Sequence, residues 1–419
     1  MEGTTMYCRK TLFAGLGVLA LAVLTAAPGF AQSRLPVPQD PPPTEGIALT
    51  PMEMLGRGLF FDTNLSTPAG QSCAACHAPE VGFTGPTSAI NDATAVYPGA
   101  IATRFGNRKP PTAAYAGDSP LLYYDATEEV WIGGMFWDGR ATGWTLGDPL
   151  AEQAQGPFLN PLEQNMAGAM QVCASVRNSE FAGLFEQVWG PGSLDCSADL
   201  AGTYERIARS ISAYEKSAEV NPFSSRYDAF LRKEVKLTRE ERLGLRLFEG
   251  KAMCSACHVA PLFTDFTYDN LGVPSNPDNP FYTADLKYNP DGYAWVDYGL
   301  GGFLMNAGYG PAVFEPELGK QKVPTLRNVD LRPYDGFVKA YGHNGYFKSL
   351  ESIVHFYNTR DVLPVCGAGM VEGVDCWPAP EVGVNVNTDE LGNLGLTAEE
   401  EAALVAFMKM LSDGYRPAR

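Results

Sequence analysis

Apolar positions recur at helical spacing in two widely separated segments that also match each other. Leu49-Thr50-Pro51-Met52-Glu53-Met54-Leu55-Gly56-Arg57-Gly58-Leu59-Phe60 agrees with Leu237-Thr238-Arg239-Glu240-Glu241-Arg242-Leu243-Gly244-Leu245-Arg246-Leu247-Phe248 at seven of twelve positions. In each copy a threonine precedes a glutamate by three residues, Thr50 with Glu53 and Thr238 with Glu241, which is the capping-box signature of a helix start. The leucines and phenylalanine then return every three or four residues and predict an amphipathic helix. Thr397 with Glu400 opens a third such helix, whose Leu404, Phe407 and Leu411 would face a core. Tyr204 to Lys216 is also helical in pattern, and Asn221-Pro222-Phe223-Ser224-Ser225 after it reads as a linker. The stretch from Phe263 to Lys320 is rich in Gly, Pro, Asn and Tyr and reads mostly as loop. A further helix starts near Ser349. Leu350, Ile353 and Val354 share its face with Tyr357, while His355 falls with Lys348, Glu351 and Ser352. The expected fold is mainly α: two small helical domains, 32–220 and 221–419, related by an internal repeat and joined by long irregular loops.

Arg9 and Lys10 precede an apolar run from Leu12 to Ala27, and small residues follow up to Ala31. This reads as a secretory signal peptide over residues 1–31, with an uncleaved anchor helix as the alternative. Cys8 lies before the run, so it is not a lipoprotein cysteine. The expected location is periplasmic, with no membrane association after cleavage. A proline cluster in 32–48 reads as an extended arm. Composition narrows the functions: 45% hydrophobic and 19% charged residues suit a folded globular chain. A net charge of -17, from 48 acids against 31 bases, disfavours nucleic acid and anionic lipid and favours a basic partner or a neutral substrate.

Eight cysteines remain after the signal. Cys173, Cys196, Cys366 and Cys376 suggest the disulfides Cys173–Cys196 and Cys366–Cys376 by their short separations; other pairings would tie the two halves together. The other four form Cys73-Ala74-Ala75-Cys76-His77 and Cys254-Ser255-Ala256-Cys257-His258, one in each copy of the repeat. Two thiols to add to the haem vinyl groups and a histidine to reach the iron make these c-type haem attachment motifs, as opposed to zinc or redox-disulfide sites. Two covalently bound haems are expected, with His77 and His258 as proximal ligands. Each repeat is then a cytochrome c-like haem domain. The remaining histidines, His343 and His355, both lie in the second half. The first iron therefore has no histidine close in sequence for its sixth position and is expected to be open to a small oxidant. The alternative is closure by Met135, Met166 or Met170, which would make the chain an electron carrier.

The two attachment motifs, with Phe136-Trp137-Asp138-Gly139-Arg140, Glu152-Gln153-Ala154-Gln155-Gly156-Pro157, Pro324-Thr325-Leu326-Arg327-Asn328-Val329 and His343-Asn344-Gly345, resemble the bacterial dihaem cytochrome c peroxidase/MauG family. The resemblance covers nearly all of the mature chain. It implies that hydrogen peroxide reacts at the N-terminal haem, in a pocket containing Gln153, Pro157 and Glu163, where a carboxylate can move the peroxide proton. It implies that Trp137 lies between the haems and relays electrons, although the spacing from Trp137 to Gln153 is six residues longer than the family's common pattern. It places His343 beside the ligands without making it one. At Tyr357 the cytochrome c peroxidases carry a methionine ligand and MauG-type enzymes a tyrosine, so the resemblance implies a His258/Tyr357 iron. It also implies a calcium ion between the haems, with Asn107 as a candidate ligand; the usual Thr-x-Pro carbonyl donors are replaced by Val338-Lys339-Ala340. The expectation is a peroxide-using enzyme of the MauG branch that oxidises a partner protein by long-range electron transfer. A peroxidase that detoxifies peroxide with electrons from a small redox protein, and a non-catalytic dihaem carrier, are the alternatives.

Overall fold

A computed structural model describes residues 47–416. The expected signal peptide, Cys8 and the arm up to residue 46 lie outside the described residues. Helices dominate and strands are few. The elements that build the two cores are α1 (Pro51–Phe61), α2 (Pro149–Leu159), α3 (Leu200–Glu215), α4 (Arg239–Glu249), α5 (Leu350–Thr359) and α6 (Ala398–Lys409). Two antiparallel pairs accompany them: β1 (Tyr123–Asp125) with β2 (Val130–Ile132), and β3 (Tyr268–Asp269) with β4 (Gln321–Lys322).

All three capping boxes form. Thr50, Thr238 and Thr397 each accept from the backbone of the glutamate three residues on, and each glutamate side chain returns the bond. That satisfies two of the backbone N–H groups a helix start leaves open.

The two cores are built alike. In the first, Leu55, Phe60, Phe158, Ile207 and Tyr214 are buried together. In the second, Phe248, Phe263, Phe356, Leu404 and Phe407 are. Helix α1 crosses α3 at Gly56, where an added Cβ would stand 1.8 Å from the Ser210 carbonyl oxygen. Helix α4 crosses α6 at Gly244, where it would stand 1.9 Å from that of Ala403. The same glycine of the repeated segment thus lets two backbones touch in both halves.

Cys173 pairs with Cys196 and Cys366 with Cys376, as the short separations suggest. The segment 221–225 is a pinned corner instead of a free linker. Asn221 donates to the Glu215 and Ser217 carbonyls, Phe223 N–H donates to the Tyr115 hydroxyl, and Ser225 caps the helix Arg226–Leu231. Residues 263–320 are mostly irregular, but Gly299–Asn306 is a helix that the glycine-rich sequence conceals. Leu300 and Leu304 are buried on it, and Gly301 lies so close to Leu318 that a Cβ would sit 2.5 Å from its nitrogen. Its glycines serve close packing, not flexibility.

Candidate active site

Each Cys-x-x-Cys-His motif folds into a single 3-10 turn, Cys73–Ala75 and Cys254–Ala256, with the histidine N–H donating back to the carbonyl of the first cysteine. Neither disulfide uses a motif cysteine. Burial pushes the Cys254 thiol up to about 12, and it does the same to Cys76, where the charge of Glu163 adds to the effect.

The histidines are held in the same way. His77 Nδ1 sits 3.2 Å from the Phe83 carbonyl oxygen, and His258 Nδ1 sits 2.9 Å from that of Phe263. A carbonyl can only accept, so Nδ1 carries the proton and Nε2 keeps its lone pair for a metal. Burial lowers the His77 pKa to about 4, against the Phe83 hydrogen bond, and lowers that of His258 too, so both rings stay neutral and able to ligate. Phe83 and Phe263 both adopt left-handed backbone, φ 55° and 56°. Behind them Thr112 donates to the Gly82 carbonyl and Thr325 to that of Leu262, fixing the loop that presents each carbonyl. Sequence reasoning missed Phe83, Phe263 and Thr112, and included Thr325 only as a letter of a motif, with no role. The one available signal was the Pro-Thr pair present in each half, Pro111-Thr112 and Pro324-Thr325.

Around the second motif a cavity opens, lined by His258, Cys254, Cys257 and Tyr357 and walled by apolar side chains such as Val323 and Leu404. Leu350, Ile353, Val354 and Tyr357 of α5 all line it, as the helical spacing predicts. His355 is on the opposite face, with Nδ1 3.0 Å from Glu401 Oε1 and its ring near Trp377. Burial, with the Cys257 and Cys254 thiols, pushes the Tyr357 phenol well above its ordinary pKa, so only a positive charge in the cavity would favour its phenolate. Met408 of α6 lines the same cavity and was missed; it stands one turn beyond Leu404 on the inward face. Two thiols, a neutral histidine and an apolar chamber fit a haem.

On the first side, Asp148 caps α2 and fixes its start. Gln153 and Pro157 stand one turn apart on it, and Glu163 follows in the loop beyond. Asn160 Nδ2 donates to Glu163 Oε1 at 2.8 Å, while Ala100 N–H holds the Glu163 carbonyl at 2.7 Å. Burial raises the Glu163 carboxyl above its ordinary value, with Arg140 and Asn160 pulling the other way. Of the three methionines proposed as closing ligands, Met166 belongs to the first core and Met170 is exposed, while Met135 lines a small cavity with Trp137.

Trp137 stands between the two histidine loops. It lines both the His258 cavity and the small neighbouring one, and both contain Pro111, Thr112, Pro324 and Thr325. Its Nε1–H donates to the Lys109 carbonyl at 2.9 Å, and its own carbonyl accepts from Lys322 N–H at 2.8 Å. The His343 ring lies 6.5 Å from it, edge to face. His343 Nε2 is buried without a hydrogen bond and faces Glu381 at 3.5 Å and Asp297 at 3.8 Å. Burial would raise the Asp297 carboxyl, but Arg108, bonded to it at 2.6 and 2.7 Å, holds it well below the usual range.

At the expected calcium position two backbone oxygens are already engaged. The main-chain oxygen of Asn107 is taken by Asn279, and the Val338 carbonyl by Asn91. The ammonium of Lys339, next to Val338 in the chain, is buried and donates to the carbonyl oxygens of Val81, Asn328 and Leu331.

Residues 50–236 match the family model described as di-haem cytochrome c peroxidase. The methylamine utilization protein MauG of Paracoccus denitrificans is 34% identical over 416 residues, spanning 95% of both chains. The protein belongs to the di-haem cytochrome c peroxidase family. Another relative in it, the cytochrome-c peroxidase IdrP1 of Denitromonas iodatirespirans, is 27% identical over 95% of this chain and 92% of its own. The diheme peroxidase BthA of Burkholderia thailandensis superposes with a TM-score of 0.71 at 31% identity, covering 87% of this chain and 86% of that one. Membership makes this chain a di-haem oxidoreductase of the peroxidase type. Among the described residues, no helix is long and apolar enough to cross a membrane.

Proposed function

We propose that this is an exported, periplasmic enzyme of the MauG type, with one covalently bound c-type haem in each helical half. The halves are taken as 32–220 and 221–419. Hydrogen peroxide reacts at the iron held by His77, and a partner protein is oxidised at a distance through the His258/Tyr357 side. Bound haem would supply the iron on which peroxide is reduced, taking two electrons and two protons to yield two waters. The chain's own residues do the rest. Glu163, tethered by Asn160, accepts a peroxide proton and returns it to the departing oxygen. Gln153, one turn from Pro157 on α2, orients the oxidant from the same wall. Trp137, between the histidine loops, carries electrons across the seam, and His343 steadies its edge. The partner is a redox protein or a protein substrate, and the net charge of -17 favours a basic one.

The observation that carries this reading is the face of α5: Tyr357 lines the cavity with His258, and His355 is turned away to Glu401. An anionic oxygen ligand holds iron at a lower potential than a thioether does, which suits storage of oxidising power over electron entry. Met408, on the same cavity, supports a second reading: a His/Met second haem in a peroxidase fed by a small electron donor. Spectra of the ferric holoenzyme separate the two. Tyr357→Phe should remove the sixth ligand of the second haem, and Met408→Leu should leave it in place. A thioether charge-transfer band that vanishes in Met408→Leu would select the second reading.

A further inference from the structure

Three lysines of the second half reach across the seam to backbone oxygens of the first. Lys322 Nζ donates to the Gly133 carbonyl at 2.9 Å, and Lys348 Nζ donates to those of Asn91 and Ala93 at 2.8 and 3.2 Å. Lys339 is the most enclosed. It is 4% exposed, and its Nζ donates to the carbonyls of Val81 at 2.8 Å, Asn328 at 3.0 Å and Leu331 at 3.0 Å. Val81 belongs to the loop of the first haem motif, four residues after His77. Asn328 and Leu331 follow the Pro324-Thr325 clamp behind His258. One ammonium therefore ties together the loops that present both proximal histidines.

We propose that the Lys339 ammonium is the resident cation of the inter-haem seam, and that the protein needs no calcium there. Three carbonyls converging on one nitrogen require three N–H donors, which only the protonated amine has. Burial, with Lys109 close by, pulls Lys339 well below the ordinary lysine pKa and the charge of Asp330 opposes this, while the three carbonyls take up the hydrogens of the ammonium. A calcium ion would need six to eight oxygens at about 2.3–2.6 Å, drawn from carboxylates, carbonyls and waters. The seam offers instead two ammonium groups, Lys339 and Lys109, the second donating to Thr84 Oγ1 and the Pro110 carbonyl. Among the described residues, the group of His, Cys, Asp and Glu placed to share a metal is Cys257, Asp269 and Glu390, elsewhere in the chain. The second ammonium repels a divalent ion, the nearby carboxylates of Asp297 and Asp330 are paired with Arg108 and Arg332, and the amide of Asn91 already donates to the Val338 oxygen.

The inference is independent of how peroxide is used, and so is its test. Metal analysis of the wild-type holoprotein, together with thermal unfolding in EGTA and in millimolar calcium, should find substoichiometric calcium and one unchanged midpoint. One calcium per chain, or a midpoint that falls in EGTA, overturns it. Lys339→Ala should unfold several degrees lower, and methylammonium should restore part of that loss. Tetramethylammonium, a cation with no N–H, should restore none. A variant as stable as the wild type, or equal rescue by both ions, overturns it as well. If Lys339→Ala does not fold, the wild-type calcium content decides alone.

Discussion

At the scale of single residues, Glu163 is where electrostatics and chemistry meet. Its burial disfavours the carboxylate, so it titrates above an ordinary glutamate, while the proposed mechanism needs it as a base. The rate of reaction with peroxide should therefore fall as pH drops through that raised pKa, an acid limb set at higher pH than a solvated carboxylate would give. Glu163→Gln should slow the reaction by roughly 10²–10⁴-fold, the range of positioned acid–base groups, and flatten the acid limb, with both haems still attached. Stopped-flow rates across pH test both parts; an unchanged rate would make Glu163 a bystander. Tyr357 was legible beforehand because helix geometry alone puts it with Leu350, Ile353 and Val354. Met408 was not, because many core methionines share that spacing and only the fold shows which of them reach the cavity.

At the scale of elements, the repeated helix is defined by one small residue as much as by its apolar stripe. Gly56 and Gly244 each sit where a partner helix brings a carbonyl within 1.8 or 1.9 Å of any Cβ. Gly56→Ala and Gly244→Ala should each destabilise by about 1–3 kcal/mol through forced separation of the helices, the range for overpacking a tight contact. Gly244→Ala acts on the α4–α6 crossing, whose Phe248, Leu404 and Met408 wall the His258 cavity, so its thermal unfolding should be accompanied by a changed ferric spectrum of the second haem. Gly56→Ala should leave the ferric spectrum of the second haem unchanged. Equal stability of the alanine variants and the wild type would show that these crossings relax easily. The glycine in each repeat was visible as a matching letter, but its purpose was not, since the residue it touches lies more than a hundred positions away.

At the scale of the whole molecule, the first core carries an ionisable group that should shape its pH stability. Glu215, at the end of α3, is buried, and this pushes its carboxyl up to about 8, with Lys216 opposing and Asp148 adding. In the unfolded chain it ionises near 4.5. The folded state therefore binds the extra proton between these values, and stability falls as pH rises from about 4.5 towards about 8. Glu215→Gln should remove that decline and raise the unfolding midpoint most at alkaline pH. Thermal melts at several pH values check this, and a parallel pH dependence in variant and wild type would reject it. The second core has its own buried groups, so the effect should appear in whichever transition includes α3.

Some properties follow from the chain's covalent order alone. The two Cys-x-x-Cys-His motifs, the three capping boxes and the inward face of α5 are set by neighbours within a few residues, where bond geometry and helical period leave little freedom. The two disulfides also join cysteines close in sequence, and their pairing was readable for the same reason. Other properties exist only once distant segments meet. The carbonyls of Phe83 and Phe263 that hold the histidines carry no side-chain signature, and neither does the left-handed backbone that aims them. The carbonyl cage around Lys339 draws one oxygen from the first half and two from the second, so a lone lysine in the sequence could not announce it. Backbone oxygens are the same at every position; only tertiary structure decides which of them converge, and so which cation the seam will hold.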